Sequence, residues 1–114
     1  MKNYGISFAQ RVVVKRVTNR DGSKQYNWEV EFVDADATGA RKLGYRSSGL
    51  AKGDGSVLQF EREPAVHDEN IDRWTQMNLT DRPDVRNRMT RLVTYAIRSL
   101  NKSGEEKLEH IVPL

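Results

Sequence analysis

The residues with the most capacity for chemistry are Arg88, Arg91, Arg98 and Lys102, set with Tyr95 in the stretch RNRMTRLVTYAIRSLNK at 86–102. Arginine forks bind phosphate oxygens in pairs, lysine adds a point charge, and a tyrosine ring stacks on an unpaired base. The stretch holds four arginines, one lysine and no acid. A helix face that is merely solvated usually mixes its signs, with Glu-to-Lys pairs at i, i+4. Like charges at Arg88 and Arg91, and at Arg98 and Lys102, cost such a helix some stability, and a polyanion would offset that cost. Phosphate recognition is the chemistry these residues suit.

They act together only if the segment is helical. Thr80 or Asp81 can cap it, Pro83 suits its first turn, and Gly104 supplies its stop. With Val85 at 0° and 100° per residue, Met89, Leu92, Val93, Ala96 and Leu100 fall between about 340° and about 80°. Arg88, Arg91, Tyr95, Arg98 and Lys102 fall between about 220° and about 300°, opposite that stripe. The apolar arc predicts packing on a sheet, with the basic ridge turned to solvent.

The sheet is written in period-two alternation. In ISFAQRVVVKRVT at 6–18, Ile6, Phe8, Val12 and Val14 share one face, and Ser7, Arg11, Val13 and Lys15 the other. YNWEVEFV at 26–33 repeats the pattern, and Asp21-Gly22 between them supplies a hairpin turn. Residues 41–47 give a third strand with Leu43 and Tyr45 inward, and VLQFERE adds a short fourth through Leu58 and Phe60. GLAKGDGS at 49–56 reads as a loop, since its lysine is misplaced for a phosphate-binding P-loop. DENIDRWTQM, with acids in its first turn, is expected to form a short helix presenting Ile71, Trp74 and Met77 or Asn78. The tail EEKLEHIVPL packs Leu108, Ile111 and Val112 on the sheet or frays. The predicted fold is α+β. A three- to four-stranded antiparallel meander carries one long C-terminal amphipathic helix on one face, preceded by the short helix. It is a single domain over 1–114, with a sheet at about 6–62, a helical part at about 68–103 and a tail at 104–114.

Composition narrows the function classes. The 114 residues carry a net charge of +3 and contain no cysteine, which removes disulfides and thiolate metal sites. No apolar run approaches a membrane span and the N-terminus lacks a signal-peptide core, so a cytoplasmic protein is expected. Charge is blocked along the chain. Residues 1–56 hold ten bases against six acids, 57–81 two against six, 82–102 six against one, and 103–114 one against three. Such alternation polarises a surface.

No set of residues has assignable catalytic roles. Asp34, Asp36, Thr38 and Gly39 match the start of a calcium loop, but Lys42 and Tyr45 fall at its ninth and twelfth positions, so a hairpin turn is expected. Glu29, Glu31 and Lys42 are the nearest set to a metal nuclease. Cross-strand ion pairing with Arg11, Lys15 and Arg46 explains the same acids. His67 and His110 stand outside the strong elements. The expectation is a protein that is no enzyme and uses no metal or cofactor.

One segment, WEVEFVDADATGARK, resembles the three-stranded arm-type DNA-binding domains of phage tyrosine recombinases over about residues 28–46. The resemblance implies a sheet entering the major groove, with Lys42 and Arg46 as contacts. The leading expectation is therefore a small accessory or regulatory nucleic-acid-binding protein, DNA before RNA. It would use Arg88, Arg91, Tyr95, Arg98 and Lys102, with Lys42 and Arg46. The alternative is a modulator or inhibitor of a larger protein partner, of the phage or mobile-element type. It would bind through the acidic 61–72 segment (Glu61, Glu63, Asp68, Glu69, Asp72, with Trp74) or through the outer sheet face. There Val13, Val17 and Val33 could also form a homodimer contact, or be covered by the C-terminal tail. No membrane partner is expected.

Overall fold

The computed structural model describes residues 6–53, 57–60, 64–68, 70–78 and 81–114. Three long strands, Phe8–Thr18 (β1), Lys24–Ala35 (β2) and Lys42–Lys52 (β3), realise the alternation as an antiparallel meander. Val12 sits opposite Val30, Val14 opposite Trp28, and Phe32 opposite Tyr45, so one face collects the large apolar side chains. The β1–β2 turn uses Gly22 at φ 85, with Asp21 accepting from the Ser23 amide and hydroxyl. The β2–β3 turn is an Asx-type hairpin. Asp36 Oδ1 accepts from the Thr38 hydroxyl at 2.7 Å, the contact that does most to hold its carboxyl below the ordinary carboxylate range.

The sheet is larger than the sequence suggests. Val57–Phe60 (β4) pairs with one end of β3, and Ala65–Asp68 (β5) pairs with the other. Arg73–Gln76 (β6) then pairs with β5, and Lys107–Pro113 (β7) pairs with β1. The order is β6-β5-β3-β2-β1-β7, with β4 also on β3. The C-terminal tail is thus an edge strand. The glycine-rich stretch is partly strand, because β3 runs to Lys52; residues 54–56 lie outside the described residues.

The short helix expected from Asp68 is corrected to the β5–β6 hairpin. Ile71, Trp74 and Met77 have helical spacing, but His67 pairs with Trp74 and Val66 with Thr75 across a tight turn. That turn places Asp72 at φ 47, and Asp68 accepts from the Asn70 amide at 3.0 Å. Four residues on each side, with valine, tryptophan and threonine among them, suit strands better than a single helical turn. Sheet therefore extends past residue 62, and helix begins only after the hairpin.

Pro83–Ser103 (α1) is the one helix among the described residues. Pro83 occupies its first turn, and Gly104 ends it in the left-handed region at φ 73, as expected. The N-cap is Arg82 with no side-chain cap bond; Thr80 lies outside the described residues, and Asp81 precedes the cap. The buried stripe is Val85, Met89, Val93, Ala96, Ile97 and Leu100. It is rotated from the predicted arc. Leu92 is only half-buried at one margin, and Ile97, outside that arc, is fully buried. The helix lies over β1 and β2 and closes a core with Trp28, Val30, Phe32 and Tyr45.

Gly49 makes the β3 end of the core possible. Trp28 lies opposite it, edge-on to Phe60 at 5.1 Å. A Cβ there would collide with the Gln59 carbonyl oxygen and stand 2.7 Å from the Trp28 ring. Backbone and a buried indole cannot yield as a flexible side chain would. Gly49→Ala should cost roughly 1–3 kcal/mol as overpacking, read as a lower urea midpoint at unchanged slope. Ile97→Ala should cost about 2–5 kcal/mol as a core truncation. Leu92→Ala, at the margin, should cost clearly less. The reverse ranking in the same denaturation series would refute the helix rotation.

Candidate functional site

The helix is pinned at both ends, and this fixes where its charges point. At the start, Arg82 donates to the Tyr45 hydroxyl at 2.9 Å, to the Ala35 carbonyl at 3.0 Å and to Asp84 at 3.0 and 2.8 Å. The hydrogen bond from Arg82 holds the Asp84 carboxyl down to about 2. Burial pushes the Tyr45 hydroxyl up, with Arg82 opposing. At the end, Arg16 donates to the Leu100 carbonyl at 3.2 Å and to Asn101 Oδ1 at 3.1 Å, and the Tyr26 hydroxyl donates to the same oxygen at 2.8 Å. A cation on the last carbonyls also suits the helix dipole.

Between these pins the basic residues separate into two kinds. Arg88 is engaged internally: its guanidinium is 2.9 Å from Asp34 and 4.4 Å above the Phe32 ring. Arg91, Arg98 and Lys102 are exposed, and among the described residues no carboxylate pairs with them. Tyr95 stands among them with 75% of its surface exposed. Arg91 lies four residues before it and Arg98 three after, so both border it on the helix surface.

Lys42 and Arg46 are not brought to this ridge. Their neighbours Leu43 and Tyr45 face the core, so both project from the opposite face of the sheet. Arg46 lies 4.0 Å above the Trp74 ring. On the same outer face Arg11 approaches Glu29 at 3.4 Å and Glu109 at 3.8 Å, the cross-strand pairing expected of this pattern. Val13, Val17 and Val33 are half-buried there.

The residues of the acidic alternative belong to the β5–β6 hairpin where they are described. Asp72 lies 2.9 Å from Nε2 of the buried His67, Asp68 bonds its own turn, and Trp74 meets the His67 ring at 5.5 Å. Neither aspartate pairs with the helix. Glu61, Glu63 and Glu69 lie outside the described residues.

One feature escaped the sequence reading. On the far side of Tyr95 from the arginines, α1 and the β1–β7 edge leave an apolar groove of about 360 Å³. Leu92, Tyr95 and Ser99 form its helix wall, and Val12, Leu108 and His110 its floor. The signal was present in the tail, where Leu108, His110 and Val112 alternate with Glu109 and Ile111. Its use required knowing that β7 joins β1. No family model, curated protein or solved structure matches the chain.

The division among the arginines has a measurable consequence. Arg88→Ala removes an ion pair and a ring contact and should cost about 1 kcal/mol. Arg91→Ala should stay within about 0.5 kcal/mol of the parent in the same thermal or urea unfolding, as a surface change.

Proposed function

We propose that this chain is a small non-enzymatic nucleic-acid-binding protein of an accessory or regulatory kind, which engages phosphates through the outward ridge of α1. One observation carries the reading: Arg91, Arg98 and Lys102 stand unpaired among the described residues around a tyrosine that is 75% exposed. Arginines held only for solubility tend to acquire acidic neighbours, as Arg11 does on the sheet and Arg88 does beside Asp34. Guanidinium forks take up phosphate oxygens in pairs, and a helix pinned at both ends presents them from an already ordered backbone. Arg88 leaves the expected contact set because Asp34 already holds it. No helix among the described residues is long and apolar enough to cross a membrane. A cytoplasmic location fits the proposed ligand.

A second reading, a modulator of a larger protein, draws on the outer sheet face. No element among the described residues covers it, and Val13 and Leu50 line a wide depression there beside Lys15 and Glu29. Its mixed charges favour a polar, patchy partner over a polyanion.

The salt dependence of binding tests the first reading. Three phosphate contacts give a slope of log K against log salt of about −2.7 on a duplex and about −2.1 on a single strand. Replacing Arg91 and Arg98 together with alanine should make the duplex slope shallower by about 1.8, with the melting temperature almost unchanged. Equal affinity and slope in parent and double variant would remove the ridge as the site. No binding by the parent at low salt would leave the protein-partner reading.

A further inference from the structure

We infer that the groove beside Tyr95 is a base-binding slot, so that the ligand is a single strand whose phosphates lie on the arginine ridge and whose bases turn into the groove. This rests on the nucleic-acid reading above and adds the strandedness of the ligand. The two features share one side chain. Tyr95 forms part of the groove wall and is bordered on its other side by Arg91 and Arg98.

The groove has the make-up of a base site. Its volume of about 360 Å³ lies at the lower end of the roughly 300–1,000 Å³ of small-ligand clefts. Its walls are mostly apolar, with an exposed tyrosine, a histidine, the Gln10 amide and the Ser99 hydroxyl as the groups able to stack on or hydrogen-bond a base. Single-strand sites elsewhere combine these elements: a basic track for the backbone and aromatic faces for successive bases. A duplex keeps its bases stacked inside and could use only the ridge.

Charge favours this occupant over an acidic peptide or a second copy of the chain. The β7 residues that face the groove are Leu108 and His110, neither of them acidic. The intervening acid, Glu109, points to the other side of the sheet, where Arg11 meets it at 3.8 Å. Glu105 and Glu106 are exposed in the α1–β7 link, beyond the helix end at Ser103 and away from Arg91 and Arg98. The lip nearest Tyr95 is therefore cationic and the slot itself uncharged. That arrangement matches a charged backbone with apolar bases; a second copy would bring the same arginines against one another.

Fluorescence anisotropy with a labelled oligothymidine and a labelled duplex of equal length separates the possibilities. Tyr95→Ala should weaken oligothymidine binding roughly 5- to 150-fold and leave the duplex within about two-fold. Ser99→Trp, which fills the slot without changing charge, should act in the same direction, while Tyr95→Phe should retain binding. An oligonucleotide carrying iodouracil should photocrosslink to the peptide containing Tyr95 or His110. If both slot variants bind oligothymidine like the parent while the Arg91/Arg98 double variant does not, the slot is refuted and the ridge stands. If the parent binds neither ligand, both readings fall. If light scattering shows a parent dimer that Ser99→Trp converts to monomer, with oligothymidine binding unaltered, the groove is a self-association surface and the inference is wrong.

Discussion

A single helix is too narrow for the sheet it covers, and most of the molecule's surface follows from that mismatch. With side chains a helix is about 10–12 Å across, whereas six strands at about 4.8 Å spacing span about 24 Å. Something must therefore be left uncovered. The helix settles over β1 and β2, where Val12, Val30 and Phe32 meet its buried stripe. Toward β3 the remaining space is filled by large rings, with Trp28 on Gly49 and Phe60 edge-on. Toward β7 no comparable ring is available, because the strand turns only Leu108, His110 and Val112 to that side. The groove is the residue of that inequality.

The same placement sorts the positive charge. Arg82 lies at the helix start, where a cation opposes the dipole, and Asp84 in the first turn offsets it. Arg88 is near enough to Asp34 to be drawn onto the Phe32 ring. About 60–80° further round, Arg91 and Arg98 are exposed and meet no acid among the described residues. Arg82 and Arg88 on one hand, and Arg91, Arg98 and Lys102 on the other, are thus two populations with different work. Some fasten the helix to the sheet, and the rest form the exposed field. Truncating one kind is expected to be felt in stability, and truncating the other in binding.

The alternating strands were legible because each buried face is written locally, residue by residue. The ends of α1 were legible for the same reason, through Pro83 and Gly104. What escaped depended on neighbours distant in sequence. Ile71, Trp74 and Met77 fit a helical period as well as a hairpin does, and only the pairing of β5 with β3 decides between them. Leu92 and Ile97 stand at the two margins of one apolar arc. Which margin is buried depends on where the sheet lies under the helix, information carried by β1 and β2 rather than by α1. The engagement of Arg88 required Asp34 across the fold, a contact no spacing rule encodes. The ridge itself was readable, since helical periodicity alone collects Arg91, Tyr95, Arg98 and Lys102. The groove next to it was not, because its floor is a strand whose partner is at the other end of the chain.

A net charge of +3 would by itself say little about a polyanion ligand. Distribution says more, because exposed charges further apart than a Debye length of roughly 8–10 Å hardly reinforce one another. On the outer sheet face the cations are interleaved with Glu29, Glu31 and Glu109, and the field there largely cancels. On the helix side Arg91 and Arg98 are two turns apart with Tyr95 between them, a rise of about 10.5 Å that is comparable to one such length. Two charges acting together on a fixed helix attract a phosphate backbone more strongly than the whole-molecule charge implies. Orientation then matters as much as attraction. On the proposed reading, a strand held by those two arginines would run along the lip of the groove, with its bases turned either outward to water or inward past Tyr95. Apolar walls on the inner side make the second path the favourable one.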